Sequence, residues 1–282
     1  MEQHGYLGFF TLDEARERAA GMHERCREAG MRTRNTLSFS HSTRLDLSGM
    51  TARLNYNHRY DENMLHATVD SKGRLTQLAG VKHHYCASTM ERTMLDDLIG
   101  VVSVEHALCQ IAQYVDDESM VVALDWATCR NKALRLSSKE RLLAYADKLG
   151  RFQGCARFRR ALELCRENTD SPQETLLRLE SQRRGLPELA VNLPIALPLS
   201  GRVVHVDMAY PEDHVILEYD GRYHYDMSRW EADIEKRNNL DYAGWRTFPA
   251  TRLTFATKRN LDEYFTIVGS AIAEYRNNGR FL

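Results

Sequence analysis

No apolar run in this chain approaches the roughly 18 residues that a membrane-crossing helix needs. The opening MEQHGYLGFF lacks a basic head followed by a long apolar stretch, so a secretory signal is not expected. Charge of neither sign is in excess: Lys and Arg number 38 against 39 for Asp and Glu, for a net charge of -1. That excludes a global basic field, so any binding of nucleic acid has to come from a local patch. Paired cysteine motifs are missing as well. Six cysteines, at 26, 86, 109, 129, 155 and 165, are scattered and none forms C-x-x-C. Such usage points to reduced thiols that fill cores in a cytoplasmic protein, rather than to a disulfide frame. The chain shows no repeat and no low-complexity segment.

What is present divides near "TDSP", Thr169 to Pro172. Residues 1–168 are expected to form a mainly helical module with a small strand element, and residues 169–282 a separate α/β domain. "LDEARERAAGMHERCREAG" reads as an amphipathic helix stopping at Gly30. "MLHATVDSKGRLTQLAGVKHHYC" holds short strand-like runs. From Ser88 the pattern turns helical, through "STMERTMLDDLIG", "SVEHALCQIAQYV", "MVVALDWATCRNKAL", "SKERLLAYADKLG" and "CARFRRALELCREN". The last third predicts the order α-β-β-β-α-β-α. A helix opens at Ser171-Pro172, three strands follow over about 189–220, a crossover helix ends at Gly244, "WRTFP" is a fourth strand, and a helix closes the chain.

Carboxylates are costly where strands are buried, yet "HVDMAYPEDHVILEYDGRYH" places Asp207 in one strand and Glu218 and Asp220 in the next. Side chains alternate along a strand. With Tyr210 to Asp213 as the loop, Ala209 faces His214, Asp207 sits opposite Ile216, and Glu218 is a diagonal neighbour of Asp207 on the same face. Carboxylates converging this way repel unless a cation lies between them. Magnesium suits the arrangement, since it takes one or two carboxylates and keeps waters for a phosphate substrate. The plain alternative is solvated acids at strand ends, with Asp220-Gly221 starting a turn.

Each neighbour has two readings. His224 is either a water-activating base or a surface-loop histidine. Asp233, Lys236 and Arg237 share a helix face, either as a surface ion-pair set or with Lys236 and Arg237 holding a phosphate. Glu174 belongs first to a capping box, Ser171-Pro172-Gln173-Glu174, and second to the acid ligands. Arg151, Arg157, Arg159 and Arg160 read as the solvated face of a helix before they read as a phosphate-binding stripe. A zinc site through His83, His84 and Cys86 lacks a partner pair at the usual spacing.

Together, "SPQETLLRLESQRRGLPE", "VDMAYPEDHVILEYDGRYH" and "WEADIEKRNNLDYAGWR" resemble the Vsr-like branch of the PD-(D/E)XK endonucleases, the family called domain of unknown function 559. The upstream "LSFSHSTRLDLSG", "CASTMERTMLDDL" and "VVALDWATC" are similar to the region preceding that domain in actinobacterial members, a region related to abortive-infection antitoxins. The first 30 residues match neither. The resemblance implies a restriction-endonuclease-like core and magnesium-dependent DNA cleavage. It gives the metal to Asp207 and Glu218, with Glu174 as a helix-borne acid, and water activation to His224. Asp220 stands where the wider superfamily has a lysine. Asp233 and Lys236 match a D-x-x-R motif with lysine for arginine. The relatives' "GWRVLR" is here "GWRTFP", so Pro249 replaces an arginine.

The expectation is therefore a magnesium-dependent endodeoxyribonuclease acting on DNA through Asp207, Glu218, Asp220, His224 and Lys236, with Arg237 on the substrate phosphate. A protein partner or a homodimer fits either role of the chain. The alternative is a nuclease scaffold that acts as a DNA-binding or antitoxin-like regulator.

Overall fold

The computed structural model describes residues 8–72, 75, 77–86, 91–198, 201–220 and 227–280, the side chains of 227–231 apart. The chain splits into two compact units, Leu7–Glu167 and Asn168–Leu282. Asn168, at the junction, adopts a left-handed backbone (φ 68°). Both units mix helix and sheet. Among the described residues no helix is long and apolar enough to cross a membrane.

The first unit begins with β1 (Gly8–Phe9) and α1 (Leu12–Met31), followed by β2 (Leu37–Phe39), α2 (His41–Leu47), β3 (Ala52–Arg53), β4 (Leu65–Val69), β5 (Val81–Tyr85), β6 (Arg92–Met94) and β7 (Ile99–Val102). Four helices close it: α3 (Val104–Ile111), α4 (Asp117–Ala127), α5 (Lys139–Leu149) and α6 (Cys155–Leu164). Helix dominates, but the strand element is a five-stranded mixed sheet in the order β5-β4-β2-β7-β6. Thr11 and Glu14 form a reciprocal capping box that starts α1. Its Met22, Cys26 and Ala29 stripe packs on Leu37, Phe39, Leu65, Ala67, Val81, Ile99 and Val101 of the sheet. Burial of each large side chain there contributes about 1.5–3 kcal/mol. All six thiols are free, and burial pushes that of Cys26 up to about 12.

Two local expectations change. Gly30 lies inside α1 rather than ending it; a Cβ there would sit 3.2 Å from both Leu98 Cβ and Leu98 O, so glycine permits close approach of the helix to the β6–β7 loop. The segment around Arg92–Val102, expected to be helical, is an antiparallel hairpin of β6 and β7. Asp96 Oδ1 accepts the N–H groups of Leu98 and Ile99 and fixes the turn. Gly100 then passes so close to Leu37 O that a Cβ would lie 2.8 Å from it.

The second unit runs α7 (Pro172–Arg183), β8 (Ala190–Ala196), β9 (Val203–Tyr210), β10 (Val215–Tyr219), α8 (Met227–Tyr242), β11 (Arg246–Ala250) and α9 (Lys258–Asn278). The order is the α-β-β-β-α-β-α expected from periodicity. The sheet is mixed, in the order β11-β10-β9-β8, with only β10 and β11 parallel. That pair is joined by the α8 crossover, the connection a parallel pair requires. Val206, Ala209, Ile216 and Leu240 belong to its core.

The hairpin register differs from expectation by two residues. The loop is Pro211 to His214, and Tyr210 pairs with Val215, Ala209 with Ile216 and Met208 with Leu217. Continuing that ladder sets Asp207 directly opposite Glu218 rather than Ile216. The cause lies in distant contacts. His214 takes a left-handed backbone (φ 52°) with its ring stacked between Trp245 and Tyr275, centroids 4.6 and 4.9 Å away. Next to it, buried Asp213 accepts a two-pronged bond from Arg276 of α9, at 2.7 and 3.0 Å. Because the shift is even, Asp207 and Glu218 keep a common face.

Candidate active site

Asp207 and Glu218 occupy adjacent strands at the end of the β9–β10 hairpin. Asp207 Oδ2 accepts the backbone N–H of Tyr219 at 2.9 Å. Across the sheet, β8 departs from regular pairing at the same level. Val191 pairs with Met208 and Leu193 with Val206, while the intervening Asn192, opposite Asp207 in that register, is left-handed (φ 53°). Such a conformation is uncommon outside glycine, and asparagine is one of the few side chains that adopts it readily.

Helix α8 supplies the cationic wall. Lys236 donates to Glu218 Oε1 and, at 3.3 Å, to the carbonyl of His205. Asp207, Glu218, Tyr219, Asp220, Asp233, Lys236 and Arg237 together line a pocket of about 120 Å³. A water needs about 10–15 Å³ of such space, so the pocket accommodates an ion with several waters. Arg237 lies exposed at its edge. Gly221 and His224 lie outside the described residues.

Glu174 is buried at the start of α7 but does not line this pocket. Its Oε2 accepts the Asp170 N–H at 2.9 Å and its Oε1 the Ser171 hydroxyl at 2.8 Å, while Ser171 Oγ accepts the Glu174 N–H. Ser171 thus caps α7 as the sequence suggests, but the Glu174 carboxylate bonds the Asp170 N–H and the Ser171 hydroxyl rather than the Ser171 N–H that a capping box requires. Electrostatics nevertheless tie Glu174 to the hairpin. Burial foremost, then the charge of Asp207, raises its carboxyl above the usual range. Asp207 is raised too, by burial first; the Tyr219 N–H and Lys236 oppose this, while Glu218 and Asp170 add to it. Sequence reasoning passed over Asp170, Asn192 and Arg178. Arg178 stands one turn beyond Glu174 and is 1% exposed, which nothing in a charged helix pattern announces.

An all-oxygen set of mutually repelling carboxylates suits a hard cation. Among the described residues no group of three or more His, Cys, Asp or Glu side chains is arranged to hold a metal ion. Asp207 and Glu218 are two carboxylates lining one pocket; magnesium is the kind of cation that takes one or two carboxylates and keeps most of its waters.

The other sequence candidates have different duties. Arg157 and Arg160 pair with Asp117, and Arg159 with Asp147, as on a solvated helix face. His84 belongs to a polar core with His41 and His66 rather than to a zinc set. His66 Nε2 lies 2.9 Å from the Asp61 carbonyl and must be its donor. In the neutral ring Nδ1 then accepts, so His84 Nε2, 2.8 Å away, carries a proton. The His41 ring stacks on His84 with centroids 3.9 Å apart.

Searches of protein-family models, of curated proteins and of solved structures find no match to this chain.

Proposed function

We propose that the second unit is a magnesium-dependent DNA endonuclease with a restriction-endonuclease-like core. The observation that carries this reading is the facing of Asp207 and Glu218 in one pocket whose other wall bears Lys236 and Arg237. The sequence resemblance to Vsr-like nucleases assigns the same residues. Asp207 and Glu218 would hold the ion, which when bound polarises a phosphate and lowers the pKa of a coordinated water.

The chain's own groups do the rest. The Tyr219 N–H fixes Asp207 in orientation. Lys236 and Arg237 place positive charge where a phosphodiester enters, with Arg237 offering a planar fork for non-bridging oxygens. Asp220 adds a third carboxylate at the pocket rim. His224, by the resemblance, removes the proton from the attacking water. Pro249 stands in register with Glu218 on β11, an edge strand, where the missing N–H is tolerated.

The second reading is a nuclease scaffold that binds DNA without cutting it. One observation favours it: Asp207, Glu218 and Glu174 each already accept a protein donor. A plasmid-nicking assay decides between them. Nicking that needs magnesium and is lost in Asp207→Ala supports the nuclease. DNA binding without nicking at any magnesium concentration moves the assignment to the regulator.

A further inference from the structure

Lys236 and a divalent cation have the same use for Glu218. The Lys236 ammonium bonds Glu218 Oε1 and is anchored on the His205 carbonyl, so it touches both acid-bearing strands. The two side chains are 22% and 16% exposed, which shields the pair from full solvent screening. In the cation-free site this ammonium offsets the repulsion between carboxylates at facing ladder positions.

We infer that Lys236 is a built-in counter-ion that must leave Glu218 before a divalent cation can bind, and that the displaced ammonium then turns to the phosphodiester. The inference rests on the nuclease reading and adds an order of assembly to it. The geometry supports the exchange in three ways. Lys236 lies on the wall of the pocket, not behind it, so its flexible stem swings within open space. Arg237, the next residue, lines the same pocket but is exposed, so a phosphate there meets one cation already in place and gains a second only when Glu218 is taken over. Finally, exchanging one positive charge for two leaves two carboxylates better neutralised than before, which favours a divalent over a monovalent competitor. The second positive charge toward DNA, that of Lys236, is thus withheld until the ion is seated.

The test is calorimetric titration of the full chain with calcium, a non-catalytic probe. Asp207→Asn, Lys236→Met and Lys236→Arg are compared with the parent. Lys236→Met removes the competitor and is expected to bind calcium about tenfold more tightly, the equivalent of losing one partly shielded ion pair. Lys236→Arg retains the charge and should stay within about twofold of the parent. Calcium affinity in Lys236→Met that is equal to or weaker than the parent's, with a parent-like melt, overturns the inference while leaving the nuclease reading intact. Binding unaffected by Asp207→Asn removes the cation site and both proposals with it.

A measurement on the unmodified chain serves if Lys236→Met does not fold. Amine-directed labelling read by mass spectrometry should modify Lys236 more rapidly once calcium is present, because the ammonium has left its carboxylate. Labelling of Lys236 that calcium leaves unchanged overturns the inference.

Discussion

Asp207 is held by the backbone of Tyr219, the residue after the acid it faces: Oδ2 accepts that N–H at 2.9 Å. The carboxylate is therefore oriented by main chain and crowded by charge at the same time. Its raised pKa, and that of Glu174, have a consequence for folding. The folded state keeps protons that the unfolded chain releases. Their contribution is present below the unfolded carboxylate range and is lost as pH rises through the folded values.

Asp207→Asn removes one of these charges and keeps an acceptor for Tyr219. Without divalent ions the parent should lose stability relative to this variant as pH rises from about 4 to about 6. Magnesium at about a hundred times its dissociation constant should then stabilise the parent by about 2.7 kcal/mol and the variant far less. Thermal melts at matched ionic strength check both. A destabilised variant with an unchanged magnesium response would make Asp207 a structural residue.

The first unit should respond to pH in the opposite sense. Burial lowers the pKa of His41 and His66, and takes His84 to about 3 and His106 to about 4. Here the unfolded chain binds the extra protons. Stability is complete above the ordinary histidine value of 6.5 and is lost as pH falls toward the folded values. Each such ring costs up to about 1.4 kcal/mol per pH unit in that window. Urea titrations followed by near-ultraviolet signals of the Tyr56–Tyr60 stack should show the midpoint falling between about pH 6.5 and 4.5; a flat profile there contradicts the neutral-histidine core.

Asn192 offers a test of stored strain. Asparagine is among the few side chains that tolerate a left-handed backbone. Asn192→Ala should cost about 1–2 kcal/mol, whereas Asn192→Gly should be close to neutral. If alanine is as stable as asparagine, the kink opposite Asp207 is not an obligatory conformation.

The Asp213–Arg276 fork should govern the hairpin. Arg276→Ala leaves the buried Asp213 carboxylate without its partner, and a lower melting temperature is expected. Amide exchange should quicken at Tyr210 and Val215 more than in β8. Uniform exchange across the sheet would mean that the fork does not hold the register.

The element order of the second unit was legible because residue periodicity switches cleanly from that of a helix to that of a strand, with Pro172 and Gly244 as punctuation. Asp207, Glu218, Asp220, Lys236 and Arg237 could be picked out as charges in strands or on one helix face, and they line one pocket. The register was not legible. It depends on Trp245, Tyr275 and Arg276, all more than 30 positions from His214 or close to it in space alone. The β6–β7 hairpin was hidden for another reason, since its short apolar runs satisfy helix and strand periods alike. Arg178 was hidden because a sequence shows an arginine's charge and not its depth.

The loop between β9 and β10 also constrains how this chain can change by descent. If β10 slipped by one residue against β9, one acid of the facing pair would turn to the opposite side of the sheet, unless a bulge absorbed the difference. A slip of two would preserve the shared face and merely slide one acid along its neighbour. Inherited variation in this loop should therefore be tolerated in length as long as His214 and Asp213 keep the contacts that hold the register, and loss of those contacts should coincide with loss of Asp207 or Glu218.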